Sequence, residues 1–226
     1  MKNKIMWMLA IGLFISSTAF AQQIDQKKIF QDTYNRALKY NDRFEAKSAM
    51  YRLVVIEPEN DSLLTTLAYL YFDARQYASS VLASMDALIL NPSNVEALEI
   101  NAFSYDNLGL KDKSLESYEK LYLITTDFQV LYKMAFLQLE LEKYHQALTN
   151  ADILLELPEV DEATVFFKED EEDIEYSIKV AIWNLKGVIN KETGNKDAAR
   201  TCFEEALKIA PEFALAIENI AALDEQ

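Results

Sequence analysis

The chain has 226 residues, 22 basic and 37 acidic, for a formal net charge of −15. A field of that sign repels nucleic acid and anionic membrane surfaces, and any charge-driven partner would be basic. One cysteine, Cys202, excludes an internal disulfide, and four glycines and four prolines leave a chain with few helix breakers.

The N-terminus has the order of a secretory signal peptide. Lys2 and Lys4 precede an uncharged apolar run, Ile5 to Phe14, and small residues end in Ala19-Phe20-Ala21, an A-x-A site. Cleavage after Ala21 is expected, with Gln22 as the first mature residue and a periplasmic or secreted destination. An uncleaved anchor is the alternative, but the run falls short of the roughly 20 apolar residues that span a bilayer. No cysteine lies near the site to carry a lipid. Cleavage removes two of the basic residues and none of the acidic ones, so 205 residues remain with a net charge of −17. No integral membrane span is expected in them.

Pro58, Pro92, Pro158 and Pro211 each follow an apolar stretch, and proline cannot continue a helix, so each marks a helix end. Pro58 and Pro92 stand 34 residues apart, and side chains recur with them. The first copy, residues 27–60, carries Phe30, Ala37, Ala46 and Leu53. The second, 61–94, carries Leu64, Leu67, Ala68 and Tyr71, then Tyr77, Ala87 and Leu88. The third, 95–127, has Leu98, Ala102 and Tyr105, a turn at Gly109, then Leu115 and Tyr118. The fourth, 128–158, has Leu131, Met134 and Ala135, a turn near Glu142, then Ala147. The fifth, 180–213, is the clearest: Trp183, Gly187, a turn at Gly194, then Ala199, Phe203, Ala206 and Pro211.

This last copy resembles the tetratricopeptide repeat, W-x2-L-G-x2-Y…A-x3-F…P, a pair of antiparallel helices with a period of about 34 residues. Lys186 and Asn190 replace the usual Leu and Tyr. The resemblance implies an all-α, right-handed solenoid of about five such pairs. Residues 213–224 would add a capping helix, burying Leu215, Ile217, Ile220 and Leu223.

Residues 159–179 interrupt the period. They hold Phe166-Phe167, expected to anchor the segment, and the run Glu169-Asp170-Glu171-Glu172-Asp173. A solvated loop or an extension of the following helix is expected. A cation or a basic partner is the alternative, although the run lacks the alternating ligands and central Gly of a calcium loop.

No catalytic constellation emerges. His145 has no paired His or nearby Cys and reads as surface polar; Cys202 reads as packing. A zinc site of the usual type is unavailable to one His and one Cys. The glycines are isolated, so no phosphate loop is present, and no cofactor is expected. The chain reads as a non-enzyme.

The resemblance also implies that the first helices of successive pairs line a groove. Stepping one period along them gives three rows: Asn35, Tyr69, Phe103, Phe136 and Val188; Gln31, Thr65, Glu99, Tyr132 and Asn184; Leu38, Phe72, Asp106, Leu139 and Lys191. Aromatic side chains in the first row suit recognition, though an aromatic stripe at helical spacing can equally be core. Glu99 and Asp106 disfavour a clamp for a peptide carboxylate. The expectation is therefore a scaffold in the cell envelope or secreted, holding an apolar or basic segment of a protein or peptide. A periplasmic binding protein for a glycan or small ligand is the alternative. The sequence does not set the oligomeric state.

Overall fold

The structure is a computed structural model that describes residues 26–169 and 172–225. The signal peptide and its cleavage point, and Asp170 and Glu171 of the acidic run, lie outside the described residues. The chain divides into two compact units, one up to Leu108 and one from Gly109 onward.

The first unit is helical throughout: α1 (residues 26–39), α2 (Arg43–Ile56), α3 (Asp61–Asp73), α4 (Tyr77–Leu90) and α5 (Val95–Asn107). Three of them, α2, α3 and α5, begin where a short polar side chain satisfies free amides. Asp42 accepts from the Glu45 amide, Asn60 from Leu63 and Asn94 from Ala97. Asn41 and Arg75 turn α1 into α2 and α3 into α4 with φ near +55°. In each turn the next amide returns to a carbonyl five residues back, Asp42 to Ala37 and Gln76 to Tyr71, both at 2.8 Å. This is the Schellman closure, which satisfies carbonyls at a helix end.

Small buried residues sit where paired helices cross. Ala68 of α3 meets Ser80 of α4, whose hydroxyl donates to the Ala68 carbonyl at 2.9 Å. Ser104 of α5 donates to Ser80 at 2.9 Å, and Asn101 donates to Ser84 at 2.9 Å. All four side chains are buried, so α3, α4 and α5 share a polar seam inside an apolar core of Met50, Leu53, Leu67 and Leu70.

The second unit holds α6 (Lys111–Thr125), α7 (Phe128–Glu140), α8 (Tyr144–Glu156), a 3-10 turn (Pro158–Val160), β1 (Thr164–Glu169), β2 (Glu172–Ser177), α9 (Ile178–Glu192), α10 (Lys196–Ile209) and α11 (Ala214–Asp224). Glu142 and Gly194 repeat the left-handed turn, with Lys143 to Gln138 and Asn195 to Asn190 again at 2.8 Å. Ala135 and Ala147 are buried together with Leu185 and Ile189. Gly187 of α9 lies directly against Phe203 of α10, which is fully buried. Lys186 does not fill the place of a core Leu. Its ammonium lies 4.6 Å from the Trp183 ring centre and pairs with Asp152 of α8.

The fold class is the expected one, all-α helices in consecutive pairs ending in a single helix, with two departures. The last helix buries Ala216 and Leu223, while Leu215 and Ile217, expected on its buried side, are 39% and 49% exposed, because both flank Ala216 and so turn away from the face it shares with Leu223. The segment expected as loop or helix is an antiparallel β-hairpin, Thr164 pairing with Ser177 and Glu169 with Glu172. The reason is a period of two: Val165, Phe167, Ile174 and Tyr176 turn inward, while Phe166, Lys168, Asp173 and Glu175 are exposed. Phe167 anchors the hairpin, edge-on to Phe213 at 5.0 Å and to Tyr176 at 6.2 Å. Phe166 is no anchor; it is 64% exposed, opposite Glu175.

Two glycine substitutions separate crowding from backbone strain. In Gly187→Ala the new Cβ would stand 2.2 Å from the Phe203 ring, so urea denaturation should show a loss of about 1–3 kcal/mol. Gly194→Ala meets open space but keeps φ at +78°, and should lose only about 1–2 kcal/mol through strain. Restoring room with Phe203→Leu should recover part of the first loss and none of the second.

Candidate partner-binding groove

In the first unit the first helices α3 and α5 lie side by side, and a cleft of about 290 Å³ opens between them. Thr65, Thr66 and Tyr69 of α3 line one wall; Glu96, Glu99 and Ile100 of α5 line the other. Thr65 is buried and fixed from two sides. Its hydroxyl donates to the Asp61 carbonyl at 2.8 Å and accepts from Asn94 at 3.0 Å. Asn91 and Asn94 both donate to the Asp61 carboxylate, which holds its carboxyl below the usual range. That lock fixes the register of α3 and α5 at the closed end of the cleft.

Farther along α3 and α5 the surface becomes aromatic. Tyr69 is 51% exposed, and Phe72 and Phe103 are half-buried with ring centres 6.3 Å apart. Phe72 also leans on Tyr77 at 5.6 Å. Asp106 is half-buried at the α5 C-terminal end, and Asn35, Gln31 and Leu38 are exposed on α1. The fold thus gathers Thr65, Tyr69 and Glu99 into one cleft, with Phe72 and Phe103 together nearby. Neutral aromatic surface is edged there by Glu96 and Glu99.

Four contributors were not singled out in the sequence. Thr66, Glu96 and Ile100 join the cleft walls because neighbouring helices expose two faces of each first helix, not one row. Tyr34 of α1 lies near Tyr69; burial pushes the Tyr34 phenol up, with Arg43 opposing. The place of Tyr34 in the repeat is the crossing position that Ala68 and Ala102 fill. A larger cleft, about 450 Å³, runs along α1 and the start of α2 past Ile29, Thr33, Ala37 and Tyr40. Its walls come from α1 and the start of α2, so it is not a groove between first helices.

In the second unit the corresponding rows are filled by the chain itself. Tyr132 is only 9% exposed, in one cluster with Val160 and Ile178, and Val165 and Phe167 of the hairpin pack against that cluster. Burial pushes its phenol far up. Phe136 stays 37% exposed, edge-on to Tyr132 at 5.0 Å. Asn184 accepts from Asn219 of α11 at 3.2 Å, and Lys191 donates to the same Asn219 at 3.2 Å. Val188 and Leu139 are half-buried in packing clusters. Tyr132 is therefore core rather than groove surface, and Asn184 is engaged by the last helix.

His145 is exposed at the start of α8. Cys202 is buried, which pushes its thiol up and away from thiolate chemistry. Among the described residues no group of three or more His, Cys, Asp or Glu side chains is placed to hold a metal ion. Among the same residues no helix is long and apolar enough to cross a membrane.

A family model, the tetratricopeptide repeat, matches residues 180–213. No curated protein matches the sequence. Several solved structures share the fold. The MamA protein superposes with a TM-score of 0.66 at 15% identity, covering 84% of this chain and 94% of its own. A tetratricopeptide repeat protein from Parabacteroides merdae ATCC 43184 gives 0.66 at 21% identity, covering 88% and 72%. YrrB, a tetratricopeptide-repeat protein with an unusual peptide-binding site, gives 0.67 at 12% identity, covering 84% and 89%. One tetratricopeptide repeat is thus matched in sequence at residues 180–213, and helix pairs, left-handed turns and small-residue crossings of the same kind recur in both units, the fold shared with these tetratricopeptide-repeat structures.

Proposed function

We propose that this protein is a non-catalytic scaffold that holds a segment of a partner protein in the cleft between α3 and α5. One observation carries the reading: Thr65, Tyr69 and Glu99, taken from the groove rows, converge on a single open cleft beside Phe72 and Phe103. The partner segment is apolar with a basic side chain. Tyr69 and Phe103 supply contact area at small entropy cost, and Glu96 and Glu99 meet the charge. Peptide binding by YrrB, a structure of the same fold, supports a peptide as the ligand class. The work is done in the envelope or outside the cell, which rests on the leader read from Lys2 to Ala21.

Pull-down with Gln22–Gln226 as bait, followed by peptide-array binding of the retained proteins, tests the site. Tyr69→Ala with Phe103→Ala should weaken binding by tenfold or more, about 1–3 kcal/mol, in line with loss of aromatic anchors. Glu96→Lys with Glu99→Lys should selectively lose the basic segments and flatten the salt dependence. Equal retention by wild type and both variants would remove the cleft from the binding reaction. For the destination, mass spectrometry of the envelope fraction should find a chain beginning at Gln22. An uncleaved chain in the cytosolic fraction would refute export.

A further inference from the structure

The second helices of the pairs show one stripe to solvent, and its chemistry changes along the chain. On α2 the stripe is Phe44, Tyr51 and Val55; on α4 it is Leu82, Met85 and Ile89. Each is between 43% and 77% exposed. Tyr51 and Met85 stand ten residues after their left-handed turn residues, and Val55 and Ile89 fourteen after. The same two places are Asp152 and Glu156 on α8, and Glu204 and Lys208 on α10, all exposed. Repeat geometry therefore does not demand apolar side chains there: α2 and α4 carry them at both places, α6 at one (Leu123, beside Glu119), and α8 and α10 at neither.

The two stripes lie on neighbouring outer helices. Lys47 of α2 donates to Gln76, which precedes α4, and Ala83 shares a buried cluster with Met50 and Leu53. With roughly 150–250 Å² on an aromatic side chain and somewhat less on an aliphatic one, the six exposed fractions amount to about 600–700 Å². That exceeds the largest apolar patch of an ordinary monomer, about 300–600 Å². It approaches the roughly 800 Å² that each partner gives to a stable interface. The chain carries a net charge of −15, so most of its faces repel a second copy. This face does not: α4 contains one charged residue, Asp86. Interfaces between identical subunits are apolar in this way.

We infer that the outer face of α2 and α4 is the interface of a twofold-symmetric dimer of this chain. A twofold contact is self-complementary, so α2 of one copy meets α4 of the other. Arg52 and Asp86 hold equivalent places on the two helices and bring opposite charges to that contact. The groove between α3 and α5 lies outside it, so the inference stands apart from the proposed function.

Sedimentation equilibrium of the full chain across a wide concentration range tests the dimer. Wild type should reach twice the monomer mass of 25.9 kDa. Leu82→Glu with Ile89→Glu should stay monomeric with an unchanged helical circular dichroism spectrum. Leu123→Glu, at the place equivalent to Ile89, should remain dimeric, as should Tyr69→Ala in the groove. If the double glutamate variant loses helix, the milder pair Tyr51→Ser and Met85→Gln decides. It should raise the dimer dissociation constant at least tenfold with the fold intact. A wild type that is monomeric at every concentration overturns the inference, and so does a dimer that neither pair weakens.

Discussion

Where the two helices of a pair cross, Ala68 meets Ser80, Ala135 lies with Ala147, and Gly187 lies under Phe203. Each contact needs a side chain no larger than a methyl or hydroxymethyl group on at least one side. Close approach there is what lets Leu67, Leu131, Leu185 and their neighbours leave water, since interiors pack at crystal-like density. In a repeat array each pair packs mainly on its neighbours. A crossing that opened would therefore move the next first helix and every groove side chain it carries. The positions of Tyr69 and Glu99 follow from packing two layers below them.

The parts of the fold set by backbone punctuation were legible in the residues. Pro58, Pro92 and Pro211 fall just after α2, α4 and α10, and Trp183, Gly187, Ala199 and Phe203 spell one complete pair. What was not legible depends on neighbours remote in sequence. The acidic run around Glu169 masked the alternation of Val165, Phe167, Ile174 and Tyr176, which is the strand signal. Tyr132 occupies a groove row by counting, but the hairpin and the 3-10 turn bury it, and no local pattern announces that. Lys186 read as a departure from the repeat; its ammonium finds Trp183 and Asp152, so a long cationic chain covers apolar surface while its head stays paired.

The hairpin also explains why the candidate site lies in one unit. The first helices of both units offer aromatic side chains at the same places. In the second unit Val165 and Phe167 pack over the cluster that holds Tyr132, and Asn219 ties down Asn184 and Lys191. In the first unit nothing from the described chain covers Tyr69. An insertion that spends its apolar face on its own repeats thus restricts where a partner finds unoccupied surface.

The seam of Ser80, Ser104, Asn101 and Ser84 has a consequence for modularity. Consensus helical repeats stack through apolar faces that tolerate exchange. Here α4 and α5 are matched by hydroxyl and amide groups: Ser104 donates to Ser80 and Asn101 to Ser84 across that boundary. Moving the α3–α4 pair to another place in the array, or duplicating it next to itself, would keep the bond from Ser80 to Ala68 but take away the acceptor that the buried Ser104 hydroxyl uses. Such a group costs about 1–3 kcal/mol when unmet. The order of these repeats is therefore written into the core, and the array cannot be shuffled or extended at this joint without rewriting both sides.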